Sequence, residues 1–278
     1  MKSITCNLPD SLYDALQKRV GTDKSSCDHV VSQALSQWLG KSIHTLFQVS
    51  TSAALVEGLY QGAVTVSRLL LHGDFGLGTF IDLDGEMVVL DGRCYQISST
   101  GTVGTVEGER LVPYAVVTRF NAEFLKQFPQ LDSFSELVSV CDELRDSNNV
   151  FYAFRIEGRF SFVKTRVMKA VPEGTGLKGA ASQQEEFLFK EVQGTLVGLW
   201  SPGFAGSFSV PGYHFHFLSS DRQKGGHVLE CKALDVSVGG CAINEMHVSL
   251  PETEEFLKAD LTRDPQDDLR DAERNHES

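Results

Sequence analysis

Residues 212–227 read GYHFHFLSSDRQKGGH, and this stretch decides the architecture. Side chains two apart on a strand share a face, so His214 and His216 point the same way. The polar run ending in Gly225-Gly226 is a turn signal, and pairing Leu218 with His227 across it brings His227 to that face too. A slip of one residue would send His227 to the opposite face. Three imidazoles with an open fourth position are the donor set of a catalytic zinc site, whereas structural sites close with four protein ligands, usually cysteines. The same imidazoles suit copper, nickel or iron. The spacing alone equally suits a half-buried strand that happens to carry histidines. His29, His44, His72, His247 and His276 have no partners at ligand spacing and read as surface or packed residues.

Outward from this hairpin the chain is rich in strands. Patterns over 187–199, 213–218, 227–238 and 245–250 form one set. Nearer the N-terminus, Asp84-Gly85 and Asp91-Gly92 are hairpin signals around the run Glu86 to Leu90, with strands over 79–81 and 93–97, which predicts a three-stranded meander. Residues 121–145 take helical spacing at Phe124, Phe128, Leu131, Leu137, Val140, Cys141 and Leu144, broken near Pro129. Strands return over 150–156 and 159–168, joined at Glu157-Gly158. Residues 171–182, rich in Gly, Pro and Ala, read as an exposed loop and an internal boundary. The acidic tail from Glu252 reads, by itself, as a frayed end.

The first residues follow a different rule. Ile4, Cys6 and Leu8 alternate with Ser3, Thr5 and Asn7, so 3–8 reads as one short strand. A helix starts near Pro9-Asp10, carries Leu12, Leu16 and Val20, and can end at Gly21. A second, capped by Ser25 or Ser26, places Val30, Ala34, Leu35, Trp38 and Leu39 on one stripe before Gly40. One strand and two helices cannot bury their own apolar faces, so the segment is expected to dimerise. The pattern resembles a ribbon-helix-helix module, whose outward strand residues can enter a DNA groove. Only Lys2 lies beside the strand, and Lys18, Arg19 and Lys24 are offset by Asp10, Asp14, Asp23 and Asp28, which favours dimerisation over DNA binding by residues 1–42.

Composition narrows the class. With 278 residues, 41% hydrophobic and 22% charged, the chain is an ordinary globular protein with a large core. Its formal net charge of -12 disfavours a protein whose main task is gripping phosphate backbones. No stretch approaches the roughly 18 apolar residues of a membrane span, and the start lacks the apolar region of a secretory signal, so a cytoplasmic location is expected and no membrane. The six cysteines are scattered without a C-x-x-C pair, which suits reduced structural thiols.

Several longer stretches, in order, resemble the acetolactate decarboxylase family: 46–55 (LFQVSTSAAL), 73–80 (GDFGLGTF), 83–87 (LDGEM), 95–97 (YQI), 150–153 (VFYA), 190–198 (KEVQGTLVG), 210–217 (VPGYHFHF) and 225–228 (GGHV). They span nearly everything after residue 45. The resemblance implies an α+β fold of two mixed or antiparallel β-sheet subdomains with few helices, behind the β-α-α segment. Domain 45–278 then follows the 1–42 module, with an N-terminal half over 45–170 and a zinc-binding half over 183–278. It also implies conversion of 2-acetolactate (2-hydroxy-2-methyl-3-oxobutanoate) to acetoin and CO2 with one bound Zn2+; the homodimer is expected from the unsatisfied edge of residues 3–8 instead, and the cytoplasmic location from the start of the chain. The zinc ligands fall on His214, His216 and His227, and the other active-site residues on Thr79, Glu86, Arg166 and Glu273.

In that chemistry the metal polarises the ketone and hydroxyl, a guanidinium holds the carboxylate, and a carboxylic acid protonates the enediolate. Read without the family, Arg166 is a strand-face cation that shares parity with Phe160 and Phe162, and Thr79 a residue beside the bend at Gly76-Leu77-Gly78, where backbone can approach a ligand closely. Glu86 is then a polar residue after a turn, and Glu273 a charge in a loose tail; the resemblance instead implies that this tail folds back over the metal to deliver Glu273, with residues 260–275 ordered. Two other readings stand beside this one: another mononuclear zinc hydrolase or lyase, and a metabolite-sensing regulator whose front module binds DNA.

Overall fold

Residues 5–20, 27, 30–31, 34–35, 38–39, 44–172 and 174–273 are described by the computed structural model, the side chains of residues 19, 20 and 273 excepted. They fall into two compact units, Met1–Ile43 and His44–Ser278. In the smaller unit α1 spans Asp10–Val20, and Cys27, Val30, Val31, Ala34, Leu35, Trp38 and Leu39 are also helical. The strand expected over 3–8 is not formed by residues 5–8, and residues 3 and 4 lie outside the described residues, as do Gly21, Ser25, Ser26 and Gly40. A β-ribbon exists only as a pair, and a single copy supplies one half of it.

The larger unit runs β1 (Thr45–Val49), α2 (Ser52–Val56), β2 (Val64–Thr65), α3 (Val66–His72), β3 (Phe75–Thr79), β4 (Glu86–Leu90), β5 (Arg93–Ile97), β6 (Val103–Val106), β7 (Leu111–Val112) and β8 (Tyr114–Thr118). It continues with β9 (Phe124–Leu131), α4 (Phe134–Leu144), β10 (Phe151–Val167), α5 (Leu177–Ala181), β11 (Glu185–Ser201), β12 (Gly212–Ser219), β13 (Gly225–Ile243), β14 (Glu245–Ser249), α6 (Glu254–Lys258) and α7 (Gln266–Glu273). Seven strands form one sheet in the order β14-β1-β8-β3-β4-β5-β6, parallel only between β1 and β14. The second sheet runs β10-β11-β12-β13-β9, and β10 also pairs with β13, so four of its strands close into a ring. The strands therefore change sheet between β8 and β9, not at 171–182: β10 of the expected N-terminal half pairs along its length with β11 of the expected zinc-binding half. Among the described residues no helix is long and apolar enough to cross a membrane.

Alternation sorts the side chains between three cores. On β4, Val88 and Leu90 face the layer between the sheets, with Leu77, Val197, Leu218 and Ile243, while Met87 and Val89 face the outer layer under α3. Both faces are buried, which is why this antiparallel strand reads as a continuous apolar run. Asp91 (φ 53°) and Gly92 (φ 73°) form the two-residue turn that pairs Leu90 with Arg93. Gly76 and Gly78 serve the sheet: a Cβ there would lie 2.1 Å from the Val116 carbonyl oxygen and 2.4 Å from that of Tyr114, so glycine permits the close approach of β8.

Four expectations are corrected. Residues 124–131 are an edge strand on β13, not a helix. Phe124 and Phe128 are four apart, a spacing that satisfies the strand period and the helix period alike, and Pro129 is tolerated on an edge. The helical signal begins at Ser133, whose side chain accepts from the Glu136 amide at 3.0 Å. Glu157-Gly158 is not a turn, because β10 is continuous through it. Residues 171–182 are not merely a loop: they contain α5, whose Leu177, Ala180 and Ala181 share a core with Leu269 and Ala272 of α7. That packing also settles the tail, where Leu269 is 2% exposed.

The ring is built on glycine opposite aromatics. Gly198 pairs with Phe215, and a Cβ on Gly198 would lie 2.1 Å from the Phe215 ring. Gly198→Ala is expected to cost about 1–3 kcal/mol by overpacking and to lower the melting temperature by several degrees. Gly104→Ala on β6, where a Cβ meets nothing within 4 Å, serves as the control and should leave it unchanged within a degree or two.

Candidate metal centre

The hairpin β12-β13 pairs His216 with His227 and Leu218 with Gly225. The register differs by two residues from the pairing of Leu218 with His227 read from the sequence. An even shift preserves the face, so His214, His216 and His227 converge as expected. Between them Phe215 and Phe217 point the other way, into the second core. Leu229 is the extra residue of a bulge, since Glu230 pairs with Lys164 and Val228 with Thr165; past it, His227 stands opposite Arg166.

His214 Nε2 lies 3.1 Å from His216 Nε2 and 3.0 Å from His227 Nδ1. One ring nitrogen from each residue lies within 4.8 Å of the others. Nitrogens bound tetrahedrally at ~2.0–2.1 Å to one zinc stand about 3.3 Å apart, close to the two spacings made by His214. His216 Nδ1 lies 2.7 Å from the Met87 carbonyl oxygen. As a donor there, Nδ1 carries the proton and Nε2 keeps its lone pair toward the other two rings, the usual outer support of a metal-ligating histidine. That contact also ties the hairpin to β4 of the other sheet.

Burial, reinforced by the Arg166 guanidinium, lowers the His214 pKa to about 3. The same causes, with the neighbouring imidazoles added, put His227 well below its ordinary 6.5. Neutral imidazole is the ligating form, so at neutral pH no proton has to leave His214 or His227 before a cation binds.

Around the triad the structure places three of the four other residues singled out from the sequence. Glu86 begins β4 opposite Thr79 of β3; its Oε1 accepts from the Met168 amide at 3.2 Å and its Oε2 lies 3.5 Å from His216 Nε2. The Thr79 hydroxyl donates to the Gly85 carbonyl at 2.9 Å. Arg166 is buried, its Nη1 directed to Met168 Sδ at 3.2 Å and Gln184 Oε1 at 3.4 Å. Parity with Phe160 did not put it there: a bulge at Ser161 breaks the alternation, and Phe160 lies in the second core. Glu273 ends α7, but its side chain lies outside the described residues, as do residues 274 and 275.

Thr79, Glu86, Arg166 and the three histidines line one cavity with Leu55, Leu83, Tyr114, Met168, Leu177, Val210 and Leu269, and about 50 Å³ of it is open to the centres of water-sized molecules. That holds several waters or a small acid. Tyr114, Met168, Leu177 and Leu269 escaped the sequence reading, as did the Met87 carbonyl. Apolar walls look like any core residue, and a backbone carbonyl has no sequence signal at all.

Fold and site together define a two-sheet α+β protein with a buried three-histidine centre. The family model "Alpha-acetolactate decarboxylase" matches residues 46–263. An alpha-acetolactate decarboxylase of Methanosarcina mazei is 41% identical over 233 residues, covering 82% of this chain and 80% of that one. One from Brevibacillus brevis is 38% identical over 221 residues, covering 79% and 78%. The crystal structure of alpha-acetolactate decarboxylase from Bacillus subtilis strain 168 superposes with a TM-score of 0.80 at 32% identity, covering 83% of this chain and 100% of that chain. The chain belongs to the alpha-acetolactate decarboxylase family.

The buried imidazoles predict a pH dependence for metal-depleted protein. An unfolded chain takes up a proton on His214 below about 6.5, while the folded chain resists until about 3, so stability falls as pH drops through that window and is constant above it. Urea denaturation between pH 8 and 5 should show this loss, and His214→Gln should reduce it, with His227 supplying the remainder.

Proposed function

We propose that this chain decarboxylates 2-acetolactate to acetoin and CO2, with one zinc ion held by His214, His216 and His227. The observation that carries the reading is the convergence of three imidazoles, a buried guanidinium and a buried carboxyl in one small cavity. A cation bound by the triad supplies Lewis-acid polarisation of the ketone oxygen next to the departing carboxylate.

The chain's own groups account for the rest. Among the described residues lining the cavity, Arg166 is the one permanent cation, and its planar fork matches a carboxylate. Two of its contacts, Met168 Sδ and Gln184 Oε1, are neutral groups. Loss of CO2 breaks the bond to C2 and leaves an electron pair shared between C2 and the ketone oxygen; acetoin then needs one proton at C2. Glu86 is the donor this reading assigns, held by the Met168 amide on one oxygen with the other turned toward His216. Glu273, four residues beyond Leu269 in α7, is the second acid assigned. Thr79 spends its proton on the Gly85 carbonyl, so toward substrate its oxygen only accepts.

We assign residues 1–42 to pairing of two chains rather than to DNA, in a cytoplasmic enzyme. Trp38 (82% exposed) and Leu39 (59%) are large apolar side chains left in solvent by a single copy. Sedimentation should give a dimer for the full chain and a monomer for Trp38→Glu/Leu39→Glu.

Acetoin should appear from racemic acetolactate, stop on chelation and return with zinc. Glu86→Gln should lower kcat about 100- to 10,000-fold with zinc still bound, and Arg166→Ala should act mainly through KM, with Arg166→Lys restoring only part. Full turnover after exhaustive metal removal would contradict the reading.

A further inference from the structure

We propose that Leu177 and Leu269 are the size-selecting wall of the cavity, setting how large an alkyl group the substrate can carry at C2. This rests on the reading of the cavity as the acetolactate site. The carboxylate, hydroxyl and ketone oxygens of that substrate belong with the imidazoles, Arg166, Glu86 and Thr79. Its two methyl groups then fall to the apolar lining, which is Leu55, Leu83, Met168, Leu177, Val210 and Leu269. With about 50 Å³ open to the centres of water-sized molecules, a further methylene fits only if part of that lining yields.

The six are not equally able to yield. Leu55 sits in α2, whose residues are all buried. Leu83 is held at φ 58° in the turn before β4, and the Met168 amide is bonded to Glu86. Leu177 and Leu269 instead belong to two short helices that pack on each other, α5 and α7. Their outer sides are in solvent, where Lys178 Nζ meets Asp271 Oδ2 at 2.7 Å and joins one helix to the other. Leu177 also borders a second, polar cleft lined by Glu57, Lys178, Arg263 and Asp268. It thus borders both the metal cavity and that cleft. Shortening it adds room without uncoupling the sheets.

Leu177→Ala and Leu269→Ala should each raise the ratio of kcat/KM for 2-ethyl-2-hydroxy-3-oxobutanoate to that for acetolactate by about fourfold or more, the worth of one methylene. Leu257→Ala, on α6 and 71% exposed, should leave the ratio unchanged. A ratio unmoved in both wall variants while their melting curves stay cooperative overturns the proposal, and so does an equal change in Leu257→Ala. If the wild-type protein turns over neither acid, the functional reading has failed, and binding decides this proposal alone. Calorimetry with 2,3-dihydroxy-2-methylbutanoate and its 2-ethyl homologue should show the smaller acid preferred by wild type and the preference reduced or reversed in Leu177→Ala. An unchanged preference would overturn it.

Discussion

The pairing of His216 with His227 across β12 and β13 is the contact on which the rest of the site depends. Strand side chains alternate, so that single register puts His214, His216 and His227 on one face and commits Phe215 and Phe217 to the core behind it. Slippage is opposed from several directions. β12 is held by β11 along its length, β13 by β10 and β9, and the four-strand ring leaves no free edge between them. The Phe215 ring over Gly198 occupies space that a slipped register would fill with another side chain. The three imidazoles are therefore presented by a surface whose opposite side is packed aromatic core, the arrangement that holds a set of side chains rigid.

The second sheet alone does not make the site. β4 crosses to it with three functions in two adjacent residues: the Glu86 carboxyl, the Met87 carbonyl that receives His216 Nδ1, and the Met87 side chain that anchors the strand in the outer core. The cavity lies where the two sheets meet, and α5 and α7 close its remaining side with apolar residues. A protein of net charge -12 thereby keeps a cation, Arg166, buried in that cavity. The field of the whole chain opposes the approach of an anion, so a buried guanidinium can attract one only at short range.

Much of this was legible in the sequence because it depends on periodicity. The even spacing of the histidines survived a two-residue error in register, and the Asp91-Gly92 turn fixed the β4-β5 pairing to the residue. What could not be read depends on tertiary partners. Phe124 and Phe128 satisfy two periods at once, and only β13 decides between them. A bulge at Ser161 interrupts the alternation between Phe160 and Arg166, so position on the strand did not reveal which way the guanidinium faces. Gly158 looked like a turn yet lies inside a continuous strand with φ 153°. Leu177 and Leu269 become walls of the cavity only through the packing of two helices about ninety residues apart in the chain, one of them in a tail whose composition suggested no order.

The central claim is that three imidazoles close on one divalent cation, and anomalous X-ray scattering at the zinc edge tests it most directly. Crystals of the protein as purified should show a single peak within about 2.0–2.1 Å of one nitrogen each of His214, His216 and His227. Absence of any peak among those rings in zinc-replete crystals, or a zinc peak bound elsewhere, would contradict the account.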